Sequence, residues 1–462
     1  NYEAQLIIDN IINYINNQSS GSWKSESLLI ADDLFKNGKQ IYEEIVHTEY
    51  SNILYEKLKN NMSISCLYGN DFPRHESSDW YTQPELNNKI IQKINNGLSI
   101  VNYIGHGTSN ILADEDILAF SDINSISIEN NKLPIWVVGT CSFGNYLNQN
   151  CFAEELLKKG DAAIAVISTS YNLSYDNNWI FIDNFYDNLK NHLIDENSNK
   201  RIGDLFISSK SSSGENYIFH LFGDPAMPLN IAKPSTSLTN AINNIDVATF
   251  NTLNMNNNSL STIKINFEDK NKFVNYLDEN NTPQTLAYNI PGDILFYDVF
   301  YNSTEFILPI NIDINDFTKI NLHNDLNNKI QIIPNISLSL SNQYNFENLD
   351  GPNISIKHKD KTLLDGDTLY PPYNIKILFQ DEEPINLSGL NDNNLRIWLN
   401  SNDQNSVIIN DLFVPTESEN GYSGYVDFNI NNNFDLQNNN NTIKIQAWDI
   451  LGESNVLNID FK

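Results

Sequence analysis

Five short apolar runs punctuate the first half of the chain, and helical patterns fill the gaps between them. The runs are Leu28–Ala31, Ser63–Tyr68, Leu98–Ile104, Ile135–Gly139 and Ala162–Ile167. Each has the length of one buried strand, too short for a helix that must bury a face. Between them, Ile41–Leu58, Glu85–Ile94 and Cys151–Lys159 read as helices, the second closed by Asn96-Gly97. Upstream, Ala4, Ile8, Ile11 and Ile15 recur at helical spacing. Alternation of this kind from Glu3 to about Ala232 predicts a mostly parallel sheet covered by helices.

Beyond Lys233-Pro234 the pattern changes to alternating strands separated by Asn, Asp, Gly and Pro. Thr262–Ile265, Ile294–Tyr297 and Ile330–Ile333 are the clearest. A further unit starts near Asp350-Gly351-Pro352, with strands at Ile354–Ile356, Leu395–Leu399 and Thr442–Trp448. In the last of these Ile443, Ile445 and Ala447 alternate with polar residues, the period of a half-exposed antiparallel strand. The chain therefore divides into an α/β part over 1–233 and two immunoglobulin-like β-sandwiches over 234–345 and 346–462. Asn-rich stretches such as Asn431–Asn441 read as turns.

Composition narrows the function classes. The 28 Lys and Arg against 58 Asp and Glu give a net charge of −30, which repels phosphate backbones and excludes nucleic acid as a partner. No Asp-x-Asp-x-Asp-Gly loop is present, so calcium among the acidic loops is compatible with the sequence but has no legible ligand set. Three cysteines, Cys66, Cys141 and Cys151, exclude a disulfide framework and leave at least one thiol unpaired within the chain. Neither Cys-x-x-Cys nor His-x-x-x-His occurs, which argues against a metal site built from such pairs. No apolar run has the length of a spanning helix, and Asn1–Ala4 has no signal-peptide character.

Two reactive residue types stand just past strand ends. Leu98–Ile104 runs into Gly105-His106-Gly107, and Ile135–Gly139 runs into Thr140-Cys141. Ligands of open α/β sheets bind beyond the carboxyl ends of the strands. Alone, His106 reads equally as a turn histidine, and Cys141 as a small buried hydrophobe. Together they supply a thiol nucleophile and an acid-base partner, with the Gly107 and Cys141 N–H groups as an oxyanion hole. An acidic residue to orient the imidazole could be Asp32 or Asp33, which equally read as a helix cap. Asp114-Glu115 is a further candidate, or a surface turn. Cys66 and Cys151 read as packing residues.

Asn102–Gly107 followed by Leu112–Glu115 resembles the histidine motif of the gingipain family of cysteine peptidases. Leu133-Pro134 with Gly139–Gly144 resembles its nucleophile motif, Phe152–Leu157 the helix that follows, and Leu221–Ala226 the Gly-Asp-Pro segment that closes the catalytic domain. These blocks span most of 98–230 in order. The resemblance implies a caspase-like fold, with His106 and Cys141 as the catalytic pair. It also implies that Ser168-Thr169-Ser170-Tyr171 helps to line the pocket for the residue before the cleaved bond. The matching region begins inside the catalytic domain as the family has it.

In the β part, Pro291-Gly292 through Leu308-Pro309, Asp350-Gly351-Pro352, Leu364–Asp367 and Ala447-Trp448-Asp449 resemble motifs of the family branch that serves type IX secretion. That branch implies cleavage of carboxy-terminal sorting domains from secreted cargo, with release to water or to an amine-bearing lipopolysaccharide. It further implies an outer-membrane β-barrel partner and the cell surface as location. A freely secreted protease and an inactive scaffold module are the alternatives.

Overall fold

The predicted α/β sheet has six strands: β1 (Glu26–Ala31), β2 (Ser63–Tyr68), β3 (Ile100–Ile104), β4 (Ile135–Gly139), β5 (Ala165–Thr169) and β6 (Phe219–Phe222). Their spatial order is β6-β5-β4-β3-β1-β2, with β6 antiparallel to β5 and the other pairings parallel. The structure is a computed structural model. It describes residues 2–16, 19–36, 38–77, 80–147, 150–210, 216–340, 350–400, 406–418, 420–430, 434, 436–437 and 440–462. Most of the Asn-rich stretch 431–441 therefore lies outside the described residues.

All residues of β3, β4 and β5 are buried. That is the signature of parallel strands covered on both faces, and it explains why they read as continuous apolar runs. The helices of this part are α1 (Tyr2–Ile15), α2 (Val46–Leu58), α3 (Pro84–Asn95), α4 (Phe152–Lys159), α5 (Tyr175–Ile194) and α6 (Ile202–Ser209). In α3, Pro84 opens the first turn, where its missing N–H costs nothing, and Leu86, Ile90, Ile91 and Ile94 form the buried stripe. Helix α4 ends on Gly160 at φ 85°, a left-handed position that suits glycine. Helix α1 departs from the expected stripe. Ile8 and Ile15 are exposed, whereas Asn10 and Tyr14 are the buried positions and Ile7 and Ile11 pack on the core. The Asn10 amide there donates to Gly160 O at 2.5 Å.

This first unit extends beyond residue 234 by taking in Asp269–Ile290 and Asn328–Ile330. Lys270–Leu277 and Pro283–Ile290 form an antiparallel hairpin. Tyr288 is buried beside Tyr68 and donates to Asp71 at 2.8 Å, Tyr55 of α2 donates to Asp269 at 2.5 Å, and Asn289 N–H donates to Asn52 at 2.9 Å. A cut near residue 233, drawn from the change of pattern, separates this hairpin from the helix it covers.

The second unit comprises Ser235–Glu268, Pro291–Asn327 and Gln331–Lys462, and it is built of strands. One sheet orders Lys329–Leu340, Phe317–Asn324, Leu260–Phe267 and Ile294–Tyr301. Further along, a sheet containing Asn353–His358, Asn374–Asp381 and Tyr422–Asn429 and a sheet containing Arg396–Leu399, Asn441–Trp448 and Ser454–Phe461 share one core. Ile356, Ile377 and Val426 of the former meet Ile397, Ile443 and Ile445 of the latter in that core. Burial in Asn441–Trp448 alternates as its sequence predicts.

Candidate active site

Register between β3 and β4 brings the two reactive residues to one edge. Ile104 pairs with Gly139, and Gly105 N–H donates to Gly139 O at 3.3 Å. His106 and Cys141 each stand two residues past that pair, beyond the ends of neighbouring strands. Gly105 and Gly107 leave no room for a side chain. A Cβ on Gly105 would run into the Tyr103 phenol oxygen and come within 2.5 Å of Asp32 Cβ, and one on Gly107 would meet Thr140 Oγ1 at 2.8 Å.

The histidine loop is held from below. Asp32 accepts the His106 backbone N–H at 2.8 Å, and the Tyr103 hydroxyl donates to His106 O at 2.6 Å. Asp32 thus holds the backbone of His106 and makes no hydrogen bond to its ring. Burial, then the charges of Asp33 and Glu115, push its carboxyl well above the usual range. Asp33 accepts the Phe35 N–H at 2.7 Å and pairs with Arg74 at 3.1 Å, and Glu115 pairs with the same guanidinium at 2.7 Å. Asp32, Asp33 and Glu115 are three buried carboxylates in one cluster, and Arg74 bridges the last two.

The imidazole instead meets Glu44, which the sequence reading missed. His106 Nε2 lies 2.7 Å from Glu44 Oε2, 3.0 Å from the Tyr175 hydroxyl and 3.3 Å from Lys36 Nζ. With Nε2–H donating to the carboxylate, Nδ1 is left as the working nitrogen, a tautomer assigned from these partners. The Tyr175 hydroxyl also donates to Glu44, at 3.0 and 3.1 Å. Burial pushes the Glu44 carboxyl up, but the hydrogen bond and charge of His106, with His47 and Tyr175 adding, outweigh it and hold it below its ordinary value. Glu44 sits on a 3-10 turn, Tyr42–Ile45, just before α2, where a continuous helix from Ile41 was expected. Only the acidic pair Glu43-Glu44 in that stretch could have hinted at it.

Cys141 heads a tight turn in which the next residue, Ser142, has φ 58°, a left-handed conformation that a non-glycine residue holds at some cost. The Leu173 N–H donates to Cys141 Sγ at 3.4 Å. Phe143 stacks on Phe152 of α4 with ring centroids 4.7 Å apart, which fixes the loop from the other side.

The pocket-lining expectation for Ser168 and Thr169 needs correction. Both are fully buried in β5, with Ser168 Oγ donating to Val138 O at 3.0 Å and Thr169 Oγ1 to Thr140 O at 2.5 Å. They brace the nucleophile loop. Ser170 Oγ bonds His220 Nε2 at 3.0 Å, and Tyr171 is 66% exposed beside the loop, its carbonyl accepting the Ser142 N–H at 3.3 Å. Cys151 is buried, which pushes its thiol up and away from nucleophilic use.

The fold is a mostly parallel sheet covered by helices, with His106 and Cys141 just past the ends of neighbouring strands. Residues 1–230 match the sequence model of Peptidase family C25, and the chain belongs to this family, that of the gingipains. No curated protein sequence matches significantly. Among solved structures, the Arg-specific cysteine proteinase gingipain R (RgpB) is similar at 17% identity, covering 73% of this chain and 72% of that one, with a TM-score of 0.41. The complex of the Porphyromonas gingivalis RgpB pro- and mature domains gives 18%, 73%, 74% and 0.39. Dimeric latent PorU from Porphyromonas gingivalis gives 17% identity and a TM-score of 0.26, covering 54% of this chain and 26% of PorU.

Proposed function

We propose that the chain is a cysteine endopeptidase in which Cys141 is the nucleophile, His106 the acid-base partner and Glu44 the group that orients the imidazole. The observation that carries it is the 2.7 Å contact between Glu44 and His106 on a histidine in register with Cys141. The thiol proton passes to His106, and the thiolate attacks the peptide carbonyl. The C–N bond then breaks as His106 returns the proton to the leaving amine, leaving a thioester on Cys141. Water or an amine releases the acyl group.

The motifs of the β part favour a role like that of PorU, removal of sorting domains from secreted cargo at the cell surface. Lipopolysaccharide as acceptor and an outer-membrane β-barrel as partner belong to the same reading. The second unit, with two antiparallel sheets about a shared core, is read as immunoglobulin-like. Incubating cargo that carries its sorting domain with wild-type protein and with Cys141→Ala, and reading both new termini by mass spectrometry, tests the proposal. An amine-linked product formed only by the wild type supports the transfer reading. Water-released product alone supports a simple protease, and equal cleavage by both proteins removes Cys141 as nucleophile.

A further inference from the structure

His47 stands out as a buried histidine without an assigned role. It is 2% exposed, and among the described residues neither of its ring nitrogens has a hydrogen-bond partner. Buried polar atoms of native proteins are nearly always satisfied, and an orphan asks for an explanation such as an absent ion. It follows Glu44 by three residues across the junction of the 3-10 turn and α2, which brings the two side chains together. Its Nδ1 lies 3.6 Å from Glu44 Oε2, and its ring meets that of His106 edge-on, with centroids 5.2 Å apart.

We propose that Glu44, His47 and His106 form a binding site for a borderline divalent transition metal such as Zn²⁺, and that the metal reversibly switches the peptidase off. One donor atom from each residue lies within 4.8 Å of the others. A tetrahedral zinc with bonds of about 2.0–2.1 Å holds its ligand atoms about 3.3 Å apart. The observed 2.7 Å from Glu44 to His106 and 3.6 Å from Glu44 to His47 bracket that separation. Two imidazoles and one carboxylate select zinc or cobalt over calcium or magnesium, which take oxygen ligands.

The metal enters from the His106 side, since that ring is the partly open member of the set. Lys36 lies there, its ammonium 3.7 Å from Glu44 and its side chain 37% exposed, so it gives way to solvent when the metal binds. Binding displaces the proton from His106 Nε2 and takes the Glu44 carboxylate that oriented it. Held by the metal and stripped of the carboxylate that oriented it, the imidazole no longer serves the thiol. This consequence rests on the proposed peptidase mechanism, whereas the metal site itself does not.

The nearest rival is zinc captured by the Cys141 thiolate, so the test uses the full-length Cys141→Ala protein. Co²⁺ titration followed by visible absorption is expected to saturate at one equivalent, with the intense bands of a tetrahedral site. Adding His47→Gln is expected to weaken binding by about 10–100-fold or more. Zinc-soaked crystals of Cys141→Ala supply a second reading that needs no change at His47, with an anomalous peak expected between Glu44, His47 and His106. A peak elsewhere, or Co²⁺ binding indifferent to His47→Gln, overturns the site. Peptide cleavage by the wild type is measured separately. Cleavage without metal binding rejects the switch and keeps the peptidase, and metal binding that leaves cleavage undiminished keeps the site and rejects its inhibitory role.

Discussion

Glu44 Oε2 lies 2.7 Å from His106 Nε2, joining residues 62 positions apart through a 3-10 turn and a strand end. A buried carboxylate on the far nitrogen fixes the tautomer and stabilises the imidazolium that forms when the thiol is deprotonated. Glu44→Gln keeps the shape and removes the charge. Its kcat/KM is expected to fall by about 10²–10⁴-fold. Steady-state assays on a peptide substrate check this, and a fall of less than about threefold removes Glu44 from the mechanism.

The Gly105 backbone leaves no space above Asp32 and Tyr103. Gly105→Ala is therefore expected to push the His106 loop off its Asp32 anchor, lowering kcat/KM by about 10²-fold and stability by about 1–3 kcal/mol. Urea unfolding and steady-state kinetics of the same preparation read both effects.

The hairpin Lys270–Leu277 and Pro283–Ile290 belongs to the first unit through Tyr288, Asp269 and Asn289. A chain ended at residue 234 loses that cover from α2 and β2. It is expected to unfold at lower urea and to bind a hydrophobic dye, whereas a chain carried through residue 462 does not bind the dye. Tyr288→Phe isolates one bond and is expected to cost about 1 kcal/mol.

Glu115 has its pKa raised from 4.5 to about 7, by burial first and then by the charge of Asp33, with Arg74 opposing. An acid with a raised folded pKa holds its proton more tightly when folded, so its contribution is full below about pH 4.5 and is lost as pH rises through about 7. Glu115→Gln is expected to remove this fall. The difference in unfolding free energy between wild type and variant, measured from pH 4 to pH 8, gives the sign directly.

Strand ends were legible because parallel strands buried on both faces leave unbroken apolar runs, as at Ile135–Gly139, and the residues after them declare themselves. The imidazole's partner was not, since Glu44 reaches His106 only through tertiary packing and carries no local motif. Helix α1 was misread in its facing because spacing alone does not tell a buried stripe from an exposed one when Ile8 and Ile12 flank Asn10 and Tyr14. The hairpin's membership of the first unit was hidden for a related reason. Lys270–Leu277 shows no polar–apolar alternation, since Phe273 and Leu277 are exposed while Val274 on the other face packs on the core.

Trapping the acyl-enzyme tests the central claim most directly. Wild-type protein mixed with a peptide ester substrate, quenched in acid within milliseconds and digested, should carry the acyl mass on the peptide containing Cys141. His106→Ala should carry none on that timescale. Acyl mass on another residue, or undiminished peptide cleavage by Cys141→Ala, would contradict the account.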